Sequence, residues 1–260
     1  MRLTFFSKRV KLFITYKKGG CAMNPEIWGW QHIVYMAIFA VLVSVGLFFA
    51  KKYAKTDKTK TIIVKSLAAV LLVCIISNRV SIVFKSETPD WTWLMPDSFC
   101  GMSSLVLSLS VLIGKRNNDG LHFVWLIALA GGIITFFYPE FIGQNPSIFY
   151  VPTITGLLHH TFSWILVLTM LLLDYLHITY KKWYCTLWGF TGYLSAGAFI
   201  ISVLGHGDAF CIFNPVLNGT PFTFWVLAPI YAVVYAIILF VAHLIDRKNK
   251  NKSIGAPPQA

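Results

Sequence analysis

The sequence predicts an all-α fold: a polytopic membrane helical bundle of about seven transmembrane helices, N-terminus outside and C-terminus cytoplasmic. Three observations carry this expectation. The 260-residue chain is 57% hydrophobic and only 12% charged. An ordinary soluble domain has about 25% charged residues, so this chain lacks the polar surface to cover itself in water. Its apolar residues gather in seven runs, each near the ~20 residues that cross about 30 Å of hydrocarbon. Its basic residues lie between those runs on one alternating side, as cytoplasmic loops do.

The runs cover residues 28–50, 61–84, 97–114, 121–138, 150–180, 183–205 and 222–245. The third and fourth are short, and the fifth is long enough to include an interfacial turn. Lys51, Lys52, Lys55, Lys58 and Lys60 separate the first two runs, Lys115 and Arg116 the third and fourth, and Lys181 and Lys182 the fifth and sixth. Arg247, Lys248, Lys250 and Lys252 follow the seventh, whereas the alternate connections hold only Lys85. That asymmetry directs the C-terminus to the cytoplasm. Trp28, Trp30, Trp91, Trp93, Tyr138, Tyr150 and Trp183 stand at run ends, where amphipathic rings settle at the membrane interface.

The formal charge of +12 follows this loop pattern, so it marks cytoplasmic loops and no nucleic-acid partner is expected. Membrane phospholipid is the expected solvent. Cys21, Cys74, Cys100, Cys185 and Cys211 stand apart, without metal or redox spacing, and no metal or cofactor is expected. The seventh run has no lysine for a retinal Schiff base. Cys100 and Cys211 both fall on the outer side, which leaves a disulfide between them open.

Three regions follow: an extension at 1–22, a seven-helix domain at 23–247 and a tail at 248–260. The extension carries Arg2, Lys8, Arg9, Lys11, Lys17 and Lys18 on the side that should be poor in charge. It also lacks the small-residue cleavage site of a secretory signal. Lys17-Lys18-Gly19-Gly20 can be encoded by a purine-rich stretch resembling a bacterial ribosome-binding site, with Met23 at a suitable spacing. We therefore expect a start at Met23; a genuine amphipathic extension is the alternative. The polar tail, with Gly255, Pro257 and Pro258, is expected to be disordered.

Ionisable groups within spans are costly and are functional candidates. With the orientation above, Asn78 and Arg79, Asp97 and Cys100, His159 and His160, and His206 and Asp208 all fall in the outer half of the bilayer. Asp97, Cys100, Ser104 and Ser108 recur at intervals that form one polar stripe on the third span. Gly156, His160 and Ser163 share a face of the fifth span, and His159 projects about 100° away. A cysteine and histidine on facing helices have the elements of an activated nucleophile, the imidazole taking the thiol proton before the thiolate attacks a carbonyl. The simpler alternatives are a cysteine filling space, histidines bonding between helices and an arginine snorkelling to headgroups.

Several segments also resemble a known family. These are Met95-Pro96-Asp97-Ser98-Phe99-Cys100, Ala130-Gly131-Gly132 ahead of Tyr138-Pro139-Glu140, the histidines of the fifth span, and Phe213-Asn214-Pro215 ahead of Pro221-Phe222-Thr223-Phe224-Trp225. Their order is similar to that in the YwaF family of bacterial integral membrane proteins, related to eukaryotic transmembrane protein 164, an ether-phospholipid acyltransferase. The resemblance covers about 28–245. It implies a bacterial plasma-membrane protein with a cysteine that accepts an acyl chain as a thioester, helped by a histidine on a later span. Those roles fall on Cys100 and on His160, with His159 second. Arg79 would hold a phosphate or carboxylate headgroup through its planar fork, Asp97 or Asp208 would orient the base, and His206 lies nearby. His206-Gly207-Asp208 stands where the family has Asn-Tyr, and Asn214 where it has lysine before proline. The rival functions are a small-molecule or ion transporter and a non-catalytic seven-span sensor or scaffold.

Overall fold

The computed structural model describes residues 28–85, 88–139, 148–216 and 219–254, with side chains to Lys248. The extension at 1–22 lies outside the described residues, as do 255–260 of the tail. All regular structure among the described residues is helical: α1 (Trp30–Tyr53), α2 (Asp57–Val83), α3 (Phe99–Ile113), α4 (Asp119–Phe137), α5 (Val151–Leu172), α6 (Tyr184–Ser202) and α7 (Phe224–Ile254). Six of these segments are long and apolar enough to cross a membrane, and α3 is a shorter apolar helix. The chain is a helical membrane bundle.

Local chemistry explains most of the boundaries. Thr56, Ser98 and Asn118 each accept a backbone N–H in the first turn of α2, α3 and α4, satisfying donors that a helix start leaves open. Pro152 sits in the first turn of α5, where its missing N–H costs no bond. The long fifth run resolves into α5 and a break: Asp174 adopts a positive φ of 55°, and a 3-10 turn at Tyr180–Lys182 leads into α6. Helix α7 continues to Ile254, past the Lys248 boundary read from the sequence. Beyond Pro229, which lies inside the helix, neither Gly nor Pro occurs before Gly255.

Helices α2, α3, α4 and α5 form the centre, with α5 packed against α1, α2, α3 and α4. In its most apolar stretch α5 is 56% buried, against 17% for α1 and for α7, so α1 and α7 present most of their surface to lipid. Leu71, Leu107, Val111, Leu121, Val124, Leu166 and Val167 are fully buried in the main core. Helix α1 is tied to the centre by polar bonds: Tyr35 to the Thr161 hydroxyl at 2.7 Å and His32 Nε2 to the Phe136 carbonyl at 2.9 Å. His32 Nδ1 accepts the Trp28 amide, so its Nε2 is the donor to Phe136.

Helix α3 has 15 residues and is about 22 Å long at 1.5 Å per residue. Two cations of α2 grip its ends. Lys65 Nζ donates to the Leu112 carbonyl at 2.9 Å, and Arg79 pairs with Asp97 just before α3 starts. These two residues are about 21 Å apart along α2 at the same rise, which matches the helix they bracket. Lys65 was not among the candidates read from the sequence; its interval to Arg79 was the available signal.

Candidate functional site

The site begins with the lead-in to α3. Arg79 Nη1 donates to Asp97 Oδ1 at 2.7 Å, and the side chains are only 10% and 18% exposed. Arg79 Nη2 donates to Asn78 Oδ1 at 3.1 Å, while Asn78 Nδ2 reaches the Pro152 carbonyl at 3.0 Å and the Thr155 hydroxyl at 3.3 Å. The Arg79 Nε is buried without a partner. The guanidinium thus joins α2 to the segment entering α3, and through Asn78 to the start of α5.

Ser98 caps α3 through the Gly101 amide at 3.2 Å. Cys100 is the second residue of that helix, so negative charge developing on its Sγ meets the positive end of the helix dipole. The thiol rests against α4: a Cβ placed on Gly131 would lie 2.6 Å from Cys100 Sγ, closer than real contacts allow. The next residue, Gly132, gives the same close approach to α5, where an added Cβ would lie 2.7 Å from the His160 carbonyl oxygen. These adjacent glycines bring the thiol and the histidine turn to neighbouring levels, as small residues do at membrane helix contacts.

One turn beyond Cys100 on α3, Ser104 Oγ lies 3.4 Å from His159 Nδ1 and 2.7 Å from Ser163 Oγ. His159, Ser104 and Ser163 are 4%, 1% and 1% exposed. The His160 ring packs against that of His159 with centroids 4.1 Å apart and planes tilted by 31°. Ser103, on the next face, bonds to Tyr193 of α6. Arg79, Asp97, Cys100 and both histidines therefore belong to adjoining contacts of α2, α3, α4 and α5.

His206 and Asp208 take other positions, in the connection from α6 to α7. Asp208 accepts the backbone amides of Ile212, Phe213 and Asn214 at 2.8, 2.7 and 2.7 Å, so its carboxylate shapes its own loop. His206 stacks on Trp93 with ring centroids 4.1 Å apart and bonds to the Thr92 hydroxyl at 2.7 Å. Sequence reading gave Ser104 and Ser163 separate places on two stripes without showing that they meet. Cys74, Cys100, Cys185 and Cys211 are all free thiols, so Cys100 and Cys211 are not joined. Among the described residues, no group of three His, Cys, Asp or Glu could hold a metal ion.

The bundle and its buried polar seam define an integral membrane protein with chemistry-bearing side chains between its central helices. A family model matches residues 27–245, and the chain belongs to the TMEM164 family. The match agrees with the resemblance read from the sequence, and the YwaF name is compatible with it. Comparisons with curated proteins and with solved structures found no match.

Proposed function

We propose that this protein transfers or hydrolyses the fatty-acyl groups of membrane phospholipids through a thioester on Cys100. The observation that carries this reading is the seam itself. Cys100 lies in the first turn of α3, one turn from the Ser104 that contacts His159. Family membership supports it, since the eukaryotic relative is an acyltransferase of ether phospholipids. The loop charges favour an outer-leaflet site in a bacterial plasma membrane.

In this mechanism an imidazole of the His159–His160 turn accepts the Cys100 proton as Sγ attacks the ester carbonyl. The C–S bond forms, the ester C–O bond breaks, and the leaving oxygen takes the proton back from the imidazolium. A lipid alcohol or water then attacks the thioester and regenerates the thiol. Because Arg79 is already paired with Asp97, its main part is to hold the entry to α3, with its Nε left to meet a substrate oxygen.

The test is intact mass of purified protein after incubation with phospholipid. A fatty-acyl mass should appear, neutral hydroxylamine should remove it, and Cys100→Ser should not form the labile adduct. Full lipid turnover by Cys100→Ser, or no adduct with any phospholipid class, would refute the covalent mechanism. Substrate flux in proteoliposomes without acyl exchange would favour the transporter alternative.

A further inference from the structure

Three contacts share their atoms, one within α5 and two between α3 and α5. Ser163 Oγ donates to the His159 carbonyl at 2.8 Å, Ser104 Oγ lies 2.7 Å from Ser163 Oγ, and His159 Nδ1 lies 3.4 Å from Ser104 Oγ. A serine hydroxyl has one proton to donate and two lone pairs to accept with. Ser163 directs its proton to the carbonyl, so Ser104 must donate to Ser163. Ser104 then offers His159 only a lone pair, and Nδ1 must carry the hydrogen. The three bonds coexist in this direction alone.

We infer that Ser104 and Ser163 are positioning residues that hold His159 as the Nδ1–H tautomer and leave its Nε2 as the basic nitrogen. In a neutral imidazole, the bond made by one nitrogen sets the role of the other. The tautomer stands on geometry; its catalytic consequence rests on the acyl-transfer reading above. That consequence is that His159, rather than His160, is the general base. Nε2 takes the Cys100 proton as the C–S bond forms and returns it to the leaving oxygen as the C–O bond breaks. Nδ1–H stays on Ser104 throughout.

Two measurements test this. Full-length protein with 15N-labelled histidine is placed in phosphatidylcholine nanodiscs, and NMR separates protonated from bare ring nitrogens, with His159→Gln providing the assignment. Wild type should show His159 protonated at Nδ1 and bare at Nε2. Ser104→Ala should mix the tautomers, and Ser104→Thr, which keeps the hydroxyl, should restore the wild-type pattern. A wild-type Nε2–H form, or an unchanged tautomer in Ser104→Ala, overturns the inference.

In the acylation assay, Ser104→Ala should lower the rate at saturating lipid about fivefold, the effect of one ordinary hydrogen bond, without changing the lipid requirement. His159→Ala should slow acylation roughly 10²–10⁴-fold, the range for losing a general base, and His160→Ala far less. The reverse order for the two histidines removes His159 as the base. The expected tautomer in a wild type that never acylates would sink the acyl-transfer reading while leaving the positioning inference intact.

Discussion

Replacing Asp97 by Asn leaves the Arg79 guanidinium charged and buried without its counter-ion. The two side chains are 10% and 18% exposed and 2.7 Å apart, so solvent screens the pair little. Breaking a buried pair from one side costs about 3–5 kcal/mol. The residual exposure and the remaining bond to Asn78 place Asp97→Asn at the lower end, about 3 kcal/mol. Because 1.4 kcal/mol is a factor of ten, the unfolding equilibrium should shift roughly a hundredfold. Removing both charges, as in Arg79→Met with Asp97→Leu, should bring stability back to within about 1 kcal/mol of wild type, because an apolar pair avoids the desolvation cost. Unfolding in mixed micelles by denaturing detergent, followed by far-UV circular dichroism, measures all three proteins. A single variant within about 1 kcal/mol of wild type, or a double variant no better than the single one, would refute the desolvated clamp.

Four further outcomes follow. Gly132→Ala should lower stability by about 1–3 kcal/mol, because its Cβ meets the His160 carbonyl oxygen at 2.7 Å. Gly131→Ala meets only the Cys100 thiol, so it should slow acylation with little change in thermal stability; equal effects on stability would contradict this. In a background without native cysteines, Lys58→Cys should react only with membrane-permeant maleimide and Phe149→Cys also with an impermeant one, and reversed labelling would overturn the orientation. Hydrogen bonds from the Thr92 side chain and amide hold Asp90 below the usual carboxylate range. A depressed acid value adds stability at neutral pH that is lost as the pH falls through it, so the Thr92 amide signal should shift in strong acid and Asp90→Asn should abolish that step.

The bundle was legible because lipid imposes a length and polarity rule on every span, and α2, α4 and α6 follow their apolar runs closely. The ends were less so. Asp174 leaves the helical region through a positive φ, a choice that hydropathy does not encode. The site was legible as a set of residues at one depth, but its contacts depend on how each helix is rotated. Arg79 and Asp97 are 18 positions apart on separate elements, and their pairing could not be read from either stripe. Asp208 resembled other acidic candidates, yet its carboxylate is occupied by three loop amides. The Ser104–His159 contact was the hardest to foresee, because each stripe alone gave only a face and not a facing partner.

The shortness of α3 has a consequence for water. Roughly 22 Å of helix cannot bridge a hydrocarbon layer of about 30 Å, so irregular backbone must descend to meet it. Such backbone is tolerated at that depth only where protein surrounds it or water accompanies it. The residues from Trp91 to Ser98 are mostly part-exposed, with Pro96 buried, so where water accompanies this segment it reaches the turn that carries Cys100. A thioester formed there would stand beside a supply of water rather than in dry hydrocarbon. Its lifetime would then set the outcome: a lipid alcohol arriving first gives acyl transfer, and water arriving first gives a free fatty acid.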